Sequence, residues 1–389
     1  MKIAVFDLCV YLVYFSLFKA YFIPDAIRQV VKIISLIIVL IFLIKRLQKN
    51  GLFNCSLLFS SAIVISGLYN YIFNNYTIKA LLDSFSYALS FYDLYSLFLY
   101  ANRSKRTEKM SCDLYRVTFV YCMLTAISVL IVGTENNSNV SAYLFGNKFT
   151  SSYLFIALIA LYGLSHNMNI RKNKAIICFL TVIAFVFTLY VECATATVAL
   201  VVSIFLFWIE QKKQGNSIQN PVVTVCVLVG TAVVPFTINA VLQKSMVRYV
   251  IFDLFNRTTT VYGRFEIYNN YLQPLLLNRF WLGYGYSNGV MLTVTGVFGN
   301  AQNGLLEQMM NFGFIGVVAI LVTVFYALRQ KRNLSYMAIL LYAMIVAAIF
   351  EVTINWFFWM ALFSVQYLNN ETKTRRKNED NWDLINARS

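Results

Sequence analysis

The stretch GNAQNGLLEQMMNFGFIGVVAILVTVFYAL, Gly299 to Leu328, begins as a glycine-dotted polar loop and ends as an unbroken apolar run. An apolar run of about 20 residues lets a helix cross a bilayer, so residues 303–328 read as a membrane span. Yet Gln302, Asn303, Glu307, Gln308 and Asn311 stand where apolar side chains are expected. Asn303, Glu307 and Asn311 recur every fourth residue and therefore share one stripe of a helix. At the helical rise, Glu307 lies about 6 Å below Asn303. An ionisable group at such a depth faces protein or a wet cavity and is a candidate for function. The competing reading is a structural carboxylate paired with a loop arginine.

The rest of the chain has the same character. Of its 389 residues 59% are hydrophobic and only 13% charged, against about a quarter charged in soluble domains. This is the composition of an integral membrane protein. Apolar runs give twelve spans: 3–21, 29–45, 53–73, 79–100, 115–133, 150–166, 174–190, 193–210, 221–241, 303–328, 334–350 and 352–368. The expected fold is therefore all-α and polytopic. It divides into helices 1–9 (1–242), a large loop (243–302), helices 10–12 (303–368) and a tail (369–389). Asp83 and Asp93 interrupt the fourth span, and very short turns after the seventh and eleventh predict tight hairpins.

Basic residues set the orientation. With the N-terminus in the cytoplasm, roughly two-thirds of the Lys and Arg fall on the cytoplasmic side, and both ends lie there. The net charge of +15 then holds the chain to an anionic inner leaflet and does not indicate nucleic acid. The seven cysteines form no CxxC pair and behave as small hydrophobes, not as a zinc or disulfide framework. His166, the one histidine, reads as an interfacial residue.

One loop departs from this charge pattern. Residues 243–302 carry Lys244, Arg248, Arg257, Arg264 and Arg279 against Asp253 and Glu266, on the outer side where positive charge is disfavoured. Arginine's planar fork matches phosphate and carboxylate oxygens, so the cluster points to an anionic ligand. The loop is also rich in aromatics, Tyr262 and Tyr284 among them, which suit a membrane interface or a sugar ring. Phe265, Tyr268, Tyr271, Leu272 and Leu275 have helical spacing that Pro274 interrupts, as in a short amphipathic helix. Carboxylates able to take a proton near this face are Glu192, Glu266, Glu307 and Glu351.

Taken in order, YGR (Tyr262–Arg264), Pro274, LGYG (Leu282–Gly285), AQNGLLEQMMNFGFIG (Ala301–Gly316) and two closing spans resemble the O-antigen polymerase and ligase family, on the Wzy-type polymerase side. The motif-bearing part covers residues 263–316; elsewhere the likeness is one of hydropathy profile. The resemblance implies a GT-C-like membrane glycosyltransferase in the bacterial cytoplasmic membrane. Its substrates would be undecaprenyl-diphosphate-linked oligosaccharides, with a chain-length regulator as a further partner. It implies that Arg264 engages the donor diphosphate. Ligases of that family carry a histidine where this chain has Gln302, followed by Asn303 and Gly304, which shifts weight to the polymerases. A second family arginine is missing from Tyr190–Leu200, whose only charge is Glu192, leaving Arg257 or Arg279 to supply it.

A polyprenyl diphosphate is already a good leaving group, and arginines stabilise its departing charge without a metal or cofactor. The expected catalytic residues are Arg264, Glu307 and Glu192. The expected substrate-binding residues are Arg248, Arg257, Arg279, Gln302, Asn303, Tyr262 and Tyr284. The alternatives are a lipid-linked oligosaccharide flippase or polysaccharide transporter, and a ligase of the same family. A transporter built from paired halves would carry an internal repeat, and none is visible.

Overall fold

The computed structural model describes residues 5–18, 20–74, 76–134, 142–166, 174–211, 220–242, 267–296, 298–329 and 335–367. They are almost entirely helical. Among them there is no strand, only an isolated antiparallel bridge between Tyr143 and Gly146. Each of the twelve apolar segments holds a helix: α1 Val5–Leu17, α2 Asp25–Arg46, α3 Ser56–Phe73, α4 Ile78–Arg103, α5 Thr107–Val132, α6 Lys148–Ser165, α7 Lys174–Tyr190, α8 Ala194–Gln211, α9 Pro221–Leu242, α10 Gly304–Leu328, α11 Tyr336–Ala347 and α12 Trp356–Tyr367. Five of these, α2, α3, α5, α6 and α10, are long and apolar enough to cross a membrane. Local capping marks several starts. Thr77, Asn147, Asn303 and Ser335 each accept a backbone N–H of the following turn, satisfying donors that a helix N-terminus leaves open.

The short α12 is buried inside the bundle. It packs against α4, α6, α10 and α11, and every residue from Phe357 to Val365 is buried. The Trp359 ring meets Phe91 at 4.9 Å and Phe59 at 5.4 Å, and Phe59 meets Phe91 edge-on at 4.9 Å. In apolar surroundings helices gain little from hydrophobic transfer and depend on such close packing. Edge-to-face ring pairs add about 1 kcal/mol each. Twelve residues make a helix of about 18 Å, well short of the roughly 30 Å of a bilayer core.

Three expectations need correction. The α7–α8 hairpin is tight, with Cys193 N–H bonded to the Thr188 carbonyl at 2.9 Å, but the α11–α12 connection is not. Residues 348–355 leave the helix and fold inward. Thr353 Oγ1 donates to the Met344 carbonyl at 2.6 Å. Side chains of α10 and its cap take up two carbonyls of this segment, Ile349 through Asn303 at 3.1 Å and Ile354 through Gln308 at 3.1 Å. Its apolar composition disguised it as helix. The amphipathic stretch is also continuous. A π-helical turn, Ile267–Leu272, passes into an α-helix, Gln273–Asn278. Pro274 stands in the first turn of that α-helix, where its missing N–H costs nothing.

The third correction concerns α10, which is not one continuous helix. Gly313 has φ 66° and ψ −168°, which opens the helix about a third of the way from its N-terminus. The segment from Phe280 to Gly285 lies in the gap. Phe314 N–H donates to the Phe280 carbonyl at 2.7 Å and Ile315 N–H to the Trp281 carbonyl at 3.3 Å. The Met310 carbonyl receives Tyr284 N–H and the Asn311 carbonyl receives Gly285 N–H, both at 2.8 Å. Backbone groups freed at the break are thus taken up by four bonds to the inserted segment. From α3, the Ser66 hydroxyl donates to the carbonyls of Leu282 at 2.5 Å and Asn311 at 3.0 Å, and Asn70 Nδ2 to the Gly283 carbonyl at 3.1 Å.

The two chain segments meet at glycines. A Cβ on Gly283, itself at φ 64°, would lie 2.6 Å from the Gly313 nitrogen and the Met310 carbonyl oxygen. A Cβ on Gly313 would overlap the Trp281 carbonyl. Substituting Gly313→Ala adds this clash to a left-handed backbone, and a destabilisation on the order of 3 kcal/mol is expected. Thermal unfolding of the detergent-solubilised protein reads it as a lowered midpoint; an unchanged midpoint would show that the inserted segment is not held as described.

Candidate functional site

The inserted segment, the N-terminus of α10 and the α11–α12 connection converge at one end of the bundle. Asn303 begins this site. Pro235 interrupts α9, and a proline leaves the carbonyl four residues earlier without its helical donor. That carbonyl belongs to Thr231, and Asn303 Nδ2 donates to it at 2.8 Å. The same NH2 reaches the Ile349 carbonyl at 3.1 Å, while Oδ1 accepts the N–H groups of Leu305 and Leu306 at 3.1 and 3.0 Å. Asn303 is wholly buried. Every hydrogen-bonding position of its side chain is engaged by protein, so Asn303 holds together α9, α10 and the α11–α12 connection.

Glu307 sits one turn further along α10, half-buried. Its Oε2 accepts the Ala301 N–H at 2.8 Å and its Oε1 accepts Asn311 Nδ2 at 3.2 Å. Asn311 Oδ1 in turn accepts Asn288 Nδ2 at 2.9 Å. The expected Asn303–Glu307–Asn311 stripe is present, and its members have different work. The first holds backbone, the second is held by donors, and the third connects it to the loop.

Aromatic rings surround this group. Tyr286 stacks on Tyr87 at 4.3 Å and lies near-parallel to Phe312 at 6.3 Å; Tyr87 meets Trp356 at 4.9 Å. The Tyr76 hydroxyl donates to the Tyr286 carbonyl. Burial pushes the Tyr286 hydroxyl far above the usual tyrosine range, and Tyr87, Asp83 and Glu307 add to the effect. Asp83 accepts Gln29 Nε2 from α2 at 3.1 Å. The arrangement is a carboxylate beside flat apolar faces with polar tips. It can accept a proton from a hydroxyl and stack against a ring.

The other expected site residues are distributed unevenly. The Arg279 guanidinium lies 5.8 Å from the Tyr284 ring centre. The Tyr284 hydroxyl receives Asn278 Nδ2 at 3.3 Å and donates to the Leu275 carbonyl at 3.2 Å. Gln302 adopts a left-handed φ of 51°. Its amide donates to Asn300 Oδ1 at 2.7 Å and its carbonyl accepts the Tyr268 hydroxyl at 2.8 Å. It thus shapes the turn into α10. Glu192 is exposed at the α7–α8 turn and, among the described residues, shares no hydrogen bond or ion pair with the Glu307 group. Arg248, Arg257, Tyr262, Arg264 and Glu266 lie outside the described residues, as do residues 243–266 of the loop as a whole and the tail 369–389. No three His, Cys, Asp or Glu side chains gather to hold a metal ion among the described residues.

Sequence reasoning passed over Asn288, Tyr76, Ser66 and Asn70. The signal for the last two was present: a serine and an asparagine four residues apart on one face of an apolar helix. Comparison with known proteins finds no matching protein-family model, no matching curated protein and no matching solved structure.

Replacing Asn303 by alanine strands two carbonyls and two N–H groups away from water. The expected loss is roughly 3 kcal/mol. Asn303→Asp keeps the cap but sets an acceptor oxygen, in a wholly buried site, against the Thr231 and Ile349 carbonyls, so its unfolding midpoint should fall at least as far as that of Asn303→Ala.

Proposed function

We propose that this chain is a polysaccharide polymerase. It would join undecaprenyl-diphosphate-linked oligosaccharide repeat units into O-antigen or capsular polysaccharide at the outer face of the bacterial cytoplasmic membrane. In this reading the chain crosses the membrane about twelve times in a GT-C-like arrangement, with both ends in the cytoplasm. The observation that supports it most is Glu307, a half-buried carboxylate whose two hydrogen bonds both come from donors, in a chain whose loop 243–302 carries the basic cluster in its sequence.

The chemistry needs little else. A sugar hydroxyl of one lipid-linked unit attacks the anomeric carbon of another. The bond from that carbon to the diphosphate oxygen breaks, the hydroxyl proton passes to Glu307, and undecaprenyl diphosphate leaves. Arg264 meets the developing diphosphate charge, with Arg248, Arg257 and Arg279 as further phosphate or carboxylate contacts. Tyr262 and Tyr284 offer ring faces to sugars. A chain-length regulator acts as a separate protein.

A transporter of lipid-linked oligosaccharide is the second reading, favoured by the break in α10. Discontinuous helices stand at the substrate sites of many secondary transporters.

Reconstitution with purified lipid-linked repeat units and no nucleotide separates the two. The polymerase extends the glycan, and Glu307→Gln slows extension by about 10²-fold or more. Substrate crossing the bilayer with no new glycosidic bond would mark a transporter. Full activity of the Glu307→Gln protein would remove Glu307 as the base.

A further inference from the structure

The hydrogen bonds around Glu307 run in one direction. A side-chain amide has an accepting end and a donating end, and its orientation is readable only when its partners are unambiguous. Here backbone groups decide it. Asn288 Oδ1 accepts the Val290 N–H at 2.9 Å, and a backbone N–H can only donate. Asn288 Nδ2 donates to the Gly285 carbonyl at 2.6 Å, and a carbonyl can only accept. Asn288 therefore cannot be turned over. Its remaining N–H goes to Asn311 Oδ1 at 2.9 Å. With its oxygen occupied, Asn311 has only its NH2 to offer Glu307 Oε1, at 3.2 Å.

The backbone is bent to aim Asn288 inward. Its neighbours Ser287 and Gly289 both have left-handed φ values, 61° and 63°. For serine this region costs about 1 kcal/mol or more. Asn311 is buried, its carbonyl bound to the inserted segment at Gly285 and to Ser66. Of the two hydrogen bonds that orient Glu307, the one to Oε1 thus depends on a loop residue that has no hydrogen bond to it, while Oε2 is held by the Ala301 N–H.

We infer that Asn288 and Asn311 form a directional amide relay that positions Glu307 as the proton acceptor, Asn288 acting through Asn311. Both are positioning residues, and the inference rests on the reading of Glu307 given above. Its consequence is specific. In Asn288→Asp the donor becomes an acceptor facing the Gly285 carbonyl and Asn311 Oδ1. Asn311 then gains by turning over, which sets its own oxygen against the Glu307 carboxylate.

The test is a double-mutant cycle on the full chain reconstituted with lipid-linked repeat units. It compares wild type, Asn288→Asp, Asn311→Ala and the double variant, each checked for an intact unfolding transition. Asn288→Asp should lower kcat about tenfold or more, the size seen when an orienting partner is lost, with KM within about twofold. Asn311→Ala should lower kcat comparably. Asn288→Asp should then add nothing in the Asn311→Ala background, because no amide remains to turn. If Asn288→Asp does not accumulate folded, Asn288→Ala takes its place with a smaller loss, about threefold, and the same lack of additivity. Losses that multiply in the double variant, or an unchanged kcat in the single one, would overturn the relay and leave the polymerase reading intact. A wild-type protein that extends no glycan, or a fully active Glu307→Gln, would overturn that reading and the relay with it.

Discussion

A backbone N–H or carbonyl buried without a partner costs about 1–3 kcal/mol, and the break at Gly313 leaves several such groups to be met at once. The segment from Phe280 to Gly285 supplies partners for those of Met310, Asn311, Phe314 and Ile315, and much of the site follows from this. The segment can lie there only because Gly283 and Gly313 bring the two backbones together without side chains. Once seated, it carries Tyr286 onto Tyr87 and Phe312 and brings Asn288 within reach of Asn311. Phe280 and Phe314, stacked at 5.2 Å, hold the crossing from the other side. Residues 280–285 of the loop are therefore built into the bundle, not laid on top of it.

The same rule operates a few residues away. Pro235 deprives the Thr231 carbonyl of its helical donor, and Asn303 supplies one from another helix. The irregular 348–355 segment has its Ile349 and Ile354 carbonyls met by Asn303 and Gln308. Amides that looked out of place in an apolar run are the means by which interruptions of regular structure are satisfied. One cluster between the described part of the loop and α10 adds apolar weight. Ile267, Tyr268, Leu272, Met291 and Ala301 pack on Leu306 and Met310 of α10.

Much of this was legible in advance, for physical reasons. Apolar runs must become helices when water is excluded, because a helix satisfies its own backbone locally. All twelve runs do hold helices. The polar stripe of α10 was visible from spacing alone. Its division of labour was not, since spacing gives a shared face but no partner. Asn303 and Glu307 look alike on a helical wheel. One is wholly buried against carbonyls from α9 and the α11–α12 connection, the other half-buried against a donor from α10 itself. Asn288 gave no signal because a loop asparagine is common at turns, and only the left-handed residues on either side of it turn it inward.

The sequence by itself determined the helical class, the positions of the helices and the end of the chain where polar groups gather. These depend on composition and period, which are local. Tertiary structure decided where those helices are interrupted and which amide serves which carbonyl. Gly313 lies in an apolar run that continues to Leu328, and a glycine alone does not break a helix. The break is stable because a segment some thirty positions earlier in the chain replaces the bonds that it loses, and that pairing exists only in the folded arrangement.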